Sequence, residues 1–265
     1  MSGARVGAVV VKEMQEMRRN RLLVVTMLLP ALALTVLPLI VLRVLRAVPQ
    51  RPMSPDEVSG LLALAPQLTS FSAEELLQVF LARTFLTIFL ILPLILPLTI
   101  AAHSIIGEKQ MRSLEPLLAT PIRTGELLLG KSLSAMAPAV VATWLAYLLF
   151  FAVAPWVVTG RVYQALLDPM WLAAALLLAP LLSLLSVSCG VVISSRVNDT
   201  RAAQNTGGLL VLPVVALLGG QALGWVLLDY RLMLAGCLLV ALIDAGVLWV
   251  GVLLFDRETI LTRWK

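Results

Sequence analysis

Eight residues near the middle of the chain carry the pattern of a phosphate-binding loop. They read Gly125-Glu-Leu-Leu-Leu-Gly130-Lys131-Ser132 and satisfy GxxxxGK[ST], in which backbone N–H groups and the lysine hold nucleotide phosphates. That chemistry needs a buried strand before the loop, but the preceding residues read Thr-Pro-Ile-Arg-Thr. Glu126 and the three leucines suit a helix, and no polar segment contains a second strand ending in Asp. We therefore predict that this chain binds no nucleotide cofactor and is not itself an enzyme, so no catalytic residues are assigned.

Three polar residues inside long apolar runs are candidates for contacts with a transported molecule. Asp244 lies in the middle of the last run, where an acid costs about 2.5–3.5 kcal/mol to insert into a membrane. We expect it to face protein or water, either in a translocation pathway or as the acceptor of a structural hydrogen bond. Gln221 and His103 are weaker candidates of the same kind. No second carboxylate lies at membrane depth, so the pattern does not support an acid–base hydrolase.

The other residues with chemical potential do not predict a metal or redox site. His103 is the single histidine, and the two cysteines, Cys189 and Cys237, each lie inside an apolar run. Transition-metal sites need clusters of such ligands, so we predict no bound metal and no disulfide. The net charge of +5 is not arranged as a basic stripe with interleaved aromatic residues, and we expect no nucleic-acid partner.

The elements that must position these residues are membrane spans. The chain is 60% hydrophobic and 13% charged, whereas soluble domains carry about 25% charged residues. A bilayer core about 30 Å thick needs about 20 apolar residues in a helix. Uncharged runs of that length predict an all-α integral membrane protein, with one transmembrane domain over residues 1–265. The six predicted transmembrane helices are 22–42, 84–106, 133–154, 171–193, 207–228 and 232–255.

The distribution of Lys and Arg predicts the orientation of these spans. An even number of spans places both termini on one side, and 14 of the 20 Lys and Arg residues lie in the termini or in connections on that side. Connections rich in Lys and Arg stay in the cytoplasm. We therefore predict that both termini and the polar segment 107–132 are cytoplasmic, in a multi-pass protein of the inner or plasma membrane.

Two segments outside the predicted spans have helical patterns. Residues 1–21 combine basic residues with apolar residues three to four positions apart, which predicts an N-terminal amphipathic helix in the membrane interface. Between the first two spans, Ser72-Ala-Glu-Glu75 has the form of a helix cap and first turn. We expect a short external helix there and no independent external domain.

The polar segment 107–132, between the second and third spans, predicts a short helix that a soluble partner contacts. Three leucines fall on one side of a helical turn, Thr120-Pro121 ends that turn, and Thr124 can cap a second helix beginning near Gly125. A helix parallel to the membrane would let a partner push on both spans, whereas the alternative is a solvated connection. The three leucines are Leu114, Leu117 and Leu118.

The same segment resembles a family signature. Residues 108–122 read Glu-Lys-Gln-Met-Arg-Ser-Leu-Glu-Pro-Leu-Leu-Ala-Thr-Pro-Ile, and Glu126 and Gly130-Lys131 follow. This order is similar to the intracellular loop of type-2 ABC export permeases, which show Glu-Lys-Glu, Gly-Thr-Leu-Glu, Leu-Leu-x-Thr-Pro, Glu and Gly-Lys. The chain departs from it with Gln110 for the second acid and Arg112-Ser113 for Gly-Thr. Weaker resemblances lie in 12–21, 203–213 and 254–258.

The resemblance implies the transmembrane half of an ATP-driven exporter. Such a subunit pairs, within membrane lipid, with a second permease subunit, identical or not, and with two separate ATPase subunits that bind ATP and Mg²⁺. It implies that a cytoplasmic coupling helix between spans two and three docks its leucines into a cleft on the ATPase. The residues that would make this contact are Glu108, Arg112, Leu114, Glu115, Leu117, Leu118, Thr120, Pro121 and Arg123.

Two other classes of protein stay open from the residues alone. An ion-driven secondary transporter would work without ATP, although no internal repeat of the kind found in many such transporters is visible. A polytopic membrane enzyme or assembly factor is the other alternative. The apolar spans carry no pattern that names a substrate, and the choice between a homodimer and a heterodimer also stays open.

Overall fold

A computed structural model describes residues 3–48, 54, 58–60, 70–110, 124–197, 199–223 and 229–254. These residues form helices and short connections, without a strand among them. Residues 58–60 are helical, and we number the longer α-helices in chain order. They are α1 (Gly3–Arg19), α2 (Arg21–Ala47), α3 (Ala73–Ile88), α4 (Leu92–Gln110), α5 (Thr124–Val157), α6 (Gly160–Leu166), α7 (Pro169–Ala173), α8 (Ala179–Arg196), α9 (Thr200–Gly207), α10 (Leu212–Ala222) and α11 (Tyr230–Leu254).

Six helical stretches of the described chain are long and apolar enough to cross a membrane, which confirms the predicted number of spans. Each overlaps one predicted span, so the count of uncharged runs was sufficient to find them all. From first to sixth they are Arg21–Ala47, Ala73–Gly107, Gly125–Val157, Pro169–Ser194, Thr200–Ala222 and Tyr230–Trp249.

The second span begins about three turns earlier than the sequence predicts. Ser72 and Glu75 form a reciprocal cap, in which the Glu75 N–H donates to Ser72 Oγ at 3.3 Å and the Ser72 N–H donates to a Glu75 carboxylate oxygen at 3.1 Å. The short helix expected here is therefore continuous with the span. Arg83 is tolerated inside it because its Nη2 donates to the Ala165 carbonyl at 3.3 Å, near the end of α6.

The third span also begins earlier than predicted. One helix, α5, runs from Thr124 to Val157. The second helix expected near Gly125 is thus the start of the third span rather than a separate helix lying along the membrane. The predicted start at residue 133 followed from reading Glu126 and Lys131 as solvated charges, whereas both are buried.

Three spans depart from α-helical geometry just before a proline. A proline lacks an N–H, and its ring clashes with the carbonyl four residues earlier. The carbonyls four residues before these prolines belong to residues 89, 176 and 209. Each lies in a short segment of 3₁₀ or π-helix instead of α-helix, and this change of geometry relieves the clash. These segments are the 3₁₀ turn Phe89–Ile91 before Pro93, the π-helical turn Ala174–Leu178 before Pro180 and the 3₁₀ turn Gly208–Val211 before Pro213.

Two side chains of the third span donate hydrogen bonds to backbone carbonyls at or next to two of these irregular turns. Trp144 Nε1 donates to the Ala175 carbonyl in the π-helical turn at 2.8 Å. Tyr147 OH donates to the Leu86 carbonyl, just before the first 3₁₀ turn, at 2.9 Å. A buried carbonyl without a partner costs about 1–3 kcal/mol. Neighbouring helices are thus the source of the hydrogen bonds that a membrane cannot provide.

The second span lies at the centre of the bundle. In its most apolar window 72% of the residues are buried, compared with 22% for the first span and 17% for the fifth and sixth. Its most extensive contacts are with the fourth span, and it also contacts the first, third and fifth. The outer spans therefore present large apolar faces to lipid or to another chain.

Candidate functional site

The N-terminal helix packs along the start of the third span. It covers Gly3–Arg19, so the predicted helix is present, and Val9 and Glu13, one turn apart, are its buried residues. Asn20 separates it from the first span, where Asn20 Oδ1 accepts a hydrogen bond from the Leu23 N–H at 3.1 Å. The side of α1 that carries its apolar residues is therefore covered by protein at least in part. Its placement in the membrane interface stays a prediction.

Glu13, Ser104 and Lys131 form a closed hydrogen-bonded cluster, which we call the junction. Lys131 Nζ donates to Glu13 Oε1 at 2.9 Å and to Ser104 Oγ at 2.7 Å. Ser104 in turn donates to Glu13 Oε2 at 2.8 Å. The side chains of Lys131 and Glu13 are only 5% and 8% exposed. The junction thus connects α1, the second span and the third span at one buried point.

Charge holds the junction together. Burial by itself would raise the pKa of Glu13, but the Lys131 ammonium, hydrogen bonds from Lys131 and Ser104, and the charge of Lys12 outweigh it and hold the pKa below its usual value of 4.5. Glu13 is therefore ionised at neutral pH. When one partner of a buried ion pair is removed, the other is left as an uncompensated charge, at a cost of about 3–5 kcal/mol.

A second ion pair joins the same two helices. Arg5 Nη1 lies 3.6 Å from Glu126 Oε2, and Glu126 is almost completely buried while Arg5 is about half exposed. Arg5 pairs with Glu126, and Glu13, later in α1, pairs with Lys131, later in α5. The two helices therefore run in the same general direction through this contact.

Gly130 permits the close approach of these helices. A Cβ atom at this position would lie 2.6 Å from Val9 Cγ1 and 2.7 Å from Val9 Cβ, far inside van der Waals contact. At Gly125, on the same helix, a Cβ atom would meet no other atom within 4 Å. The two glycines of the apparent phosphate loop therefore differ in what they do, and only Gly130 is required by packing.

Gly130→Ala is expected to destabilise the protein, whereas Gly125→Ala is expected to stabilise it. In a helix, alanine is better than glycine by about 0.8–1.0 kcal/mol, and Gly125→Ala should gain roughly this amount. At Gly130 the same gain is opposed by overpacking against Val9, which costs about 1–3 kcal/mol. Thermal unfolding of both variants in detergent measures the difference. Equal midpoints would contradict the close approach of α1.

Residues of the phosphate-loop pattern form contacts between helices instead of a nucleotide site. All eight lie in one helix, α5. The lysine of a phosphate loop must reach the β- and γ-phosphates, but here its ammonium binds Glu13 and Ser104. A helix also directs its N–H groups along its own axis rather than around an anion. The pattern therefore arises from a helix start, a packing glycine and a buried lysine.

Most of the residues predicted to contact an ATPase lie outside the described residues. This holds for Arg112, Leu114, Glu115, Leu117, Leu118, Thr120, Pro121 and Arg123. Glu108 lies in the last turns of α4, but its side chain is outside the described part of the chain. Ser104 and Lys131 therefore bracket the predicted coupling segment, one just before it and one at its end.

Asp244 is buried inside the bundle rather than exposed on its surface. It lies in the sixth span with 3% of its surface exposed, and the sixth span packs against the fourth. Neither carboxylate oxygen accepts a hydrogen bond from the described residues. The structural hydrogen bond that was one of the two expected roles is thus not formed within that part of the chain.

The two weaker candidates have different environments. Gln221 lies near the end of α10, and its Oε1 is buried without a hydrogen-bond partner among the described residues. His103, beside Ser104 in the second span, is exposed. Asp244, Gln221 and His103 lie on three different spans, and no hydrogen bond or ion pair of the described chain joins them.

The sequence reasoning did not single out Glu13 and Ser104, and it considered Lys131 mainly as part of a false phosphate loop. A signal was present in the N-terminal helix. Glu13 lies four residues after Val9 and four before Met17, so an acid occupies the side that carries apolar residues. A charge in such a position indicates a buried partner of opposite sign. The candidate partners include Lys131, which lies just before the predicted third span.

The apolar helices and their buried polar junction define a multi-pass membrane protein whose spans are tied together at one end. Over residues 7–228 the chain matches the family described as ABC-2 family transporter protein, and it belongs to that family. The match includes the whole junction and the first five spans, and it confirms the resemblance seen in segment 107–132. A comparison with curated proteins finds no match. Proteins of this family are permeases of ABC transporters, which work with an ABC ATPase partner and are not themselves catalysts.

Proposed function

We propose that this chain is the permease subunit of an ATP-driven exporter and that it transmits ATP hydrolysis in a separate ATPase subunit to its membrane spans. Family membership supports the class, and the junction is the observation that carries the mechanism. Glu13, Ser104 and Lys131 join α1 to the two spans that flank segment 107–132. A displacement of that segment would therefore reach three helices together.

In this mechanism the ATPase acts on segment 107–132 from the cytoplasm. The leucines at 114, 117 and 118 dock into the ATPase and provide most of the contact energy, since exposed ion pairs at the rim contribute only about 0–1 kcal/mol each. ATP and Mg²⁺ are bound by the ATPase and not by this chain. A second permease subunit completes the complex, and both termini lie on the ATPase side of the membrane.

Asp244 is the proposed polar contact for the transported molecule. A buried acid within a span is a candidate functional residue because of its high insertion cost. Its two oxygens have no donor among the described residues, so they are able to accept one from a ligand. Gln221, whose Oε1 has no partner among the described residues, is the second proposed contact, and His103, at the end of the second span, is the third.

Changing Leu114, Leu117 and Leu118 together to Asp should abolish co-purification of the ATPase subunit. The substitution places three charges where the mechanism requires an apolar surface, and each buried leucine is worth about 1.5–3 kcal/mol. The measurement is recovery of the ATPase with tagged permease from membranes. Leu61→Asp, in the connection predicted on the opposite side of the membrane, is the control. Undiminished recovery with the triple variant would disprove the proposed docking.

A further inference from the structure

An apolar groove runs between the first and third spans, at the end of the bundle away from the junction. Its volume is about 620 Å³, within the roughly 300–1,000 Å³ typical of small-molecule sites. Val36 and Ile40 line one side, and Leu149 and Val153 line the other. From Val36 to Val44, and equally from Leu149 to Val157, the lining covers eight residues of helix, about 12 Å. This length is close to the hydrocarbon depth of one leaflet, about 15 Å.

One cation lies at the end of this groove. Arg43 is the charged residue of the lining, and it is exposed and belongs to no ion pair among the described residues. The first span starts at Arg21, so a helix of this length carries Arg43 about 33 Å further, to the opposite boundary of a core about 30 Å thick. The guanidinium therefore lies at headgroup depth.

Two further residues mark the same boundary. Trp156 lines the groove and is 74% exposed, as is typical of the aromatic residues that lie where hydrocarbon meets headgroups. Arg46 Nη1 donates to the Val158 carbonyl at 3.2 Å and to the Val157 carbonyl at 3.5 Å. These bonds fix the ends of the first and third spans together, so the groove is closed at its headgroup end by a fixed helix contact.

We propose that this groove binds one anionic phospholipid of the adjacent leaflet, with an acyl chain between the two spans and the phosphate on Arg43. The apolar groove is about one leaflet long and fits an acyl chain. At its end the exposed arginine, beside an interfacial tryptophan, fits the anionic headgroup. A second copy of this chain is a poorer occupant. It would place an apolar helix against Arg43 without an anion, and desolvating an unpaired charge is costly.

The experiment measures lipid retained by the purified full-length chain. Wild type and variants are equilibrated in detergent with equal amounts of phosphatidylglycerol and phosphatidylcholine, and bound lipids are counted by native mass spectrometry. Wild type should retain one phosphatidylglycerol per chain. Arg43→Gln should lower the preference for phosphatidylglycerol about fivefold. Val153→Trp, which fills the groove, should lose the retained lipid of either kind.

Two matched controls keep the result specific. Arg161→Gln removes another exposed arginine, outside the groove, and Val141→Trp adds the same bulk to an exposed position on the same helix. Both should retain lipid as the wild type does. An unchanged preference in Arg43→Gln would overturn the proposal. So would a change of oligomeric state in Val153→Trp with unchanged lipid retention, which would make a second copy of the chain the occupant.

Discussion

Lys131→Ala should lower the free energy of unfolding by about 3–5 kcal/mol. The change leaves the Glu13 carboxylate buried with the Ser104 hydroxyl as its hydrogen-bond donor and the partly exposed Lys12 ammonium 3.7 Å away. It also removes the contact that joins α1 to the third span. Unfolding in mixed detergent micelles, followed by tryptophan fluorescence, measures the loss. The same scan on Lys12→Ala removes a partly exposed lysine that lies 3.7 Å from Glu13 and 3.3 Å from Glu16, and it should show a change below about 1 kcal/mol.

A double variant separates the ion pair from the packing around it. Glu13→Gln combined with Lys131→Met removes both charges and keeps similar volumes, so it should recover much of the stability lost in Lys131→Ala. If the junction transmits motion, this folded double variant should still bind the ATPase but should turn over ATP without supporting export. If Lys131→Ala were no more harmful than Lys12→Ala, the junction would not be an energetically important contact.

The same ion pair has a defined dependence on pH. The pKa of Glu13 is held below 4.5 in the folded protein, so its contribution to stability is complete above the unfolded value and is lost as the pH falls through the folded one. In Lys131→Ala the ammonium no longer opposes the effect of burial, so the pKa of Glu13 in the folded variant lies higher than in wild type. The variant should therefore regain stability as Glu13 takes up a proton, and the difference between wild type and Lys131→Ala should begin to shrink above pH 4.5.

Asp244→Asn should reduce export by roughly tenfold or more without lowering stability. The carboxylate has no hydrogen bond among the described residues to lose, and a neutral amide is cheaper to keep in the membrane than a charge. A charge-assisted contact to a transported molecule is worth about 1.5–3 kcal/mol, which corresponds to the expected loss of rate. Rescue of a host that lacks the permease gene, measured beside thermal unfolding of the purified protein, gives both quantities.

Asp229 provides the matched control for this experiment. It caps the start of the same helix, where Asp229 Oδ1 accepts a hydrogen bond from the Leu232 N–H at 2.7 Å, and asparagine caps helices as well as aspartate does. Asp229→Asn should therefore change neither stability nor export. A loss of stability in Asp244→Asn, with export falling only in proportion to the folded protein, would instead assign Asp244 a structural role.

Much of the fold could be predicted because a membrane reduces the problem to length and hydropathy. Every backbone polar group in a bilayer must be satisfied within the protein, so an apolar run of about 20 residues has few conformations available. The cap at Ser72 was also readable, because a serine three residues before a glutamate satisfies two backbone N–H groups locally. Both features depend on residues that are close together in the sequence, so the sequence alone was sufficient to predict them.

The features that were missed depend on distant partners. Arg83 and Lys131 were treated as the ends of spans, but Arg83 Nη2 donates to the Ala165 carbonyl and Lys131 binds Glu13, 118 residues away in the chain. The need for glycine at position 130 likewise comes from Val9. A single sequence does not say which distant residue will meet a buried charge, so hydropathy assigned these residues to solvent.

The hydrogen bonds of Trp144 and Tyr147 constrain how the bundle is able to move. Sliding the third span against either neighbour would leave the Ala175 or Leu86 carbonyl without its side-chain donor, at about 1–3 kcal/mol each. Relative motion of spans two, three and four at this depth therefore has a defined cost. The first span is held to the third in the same way by Arg46, so we expect the fifth and sixth spans, of which 17% is buried, to shift at the lowest cost.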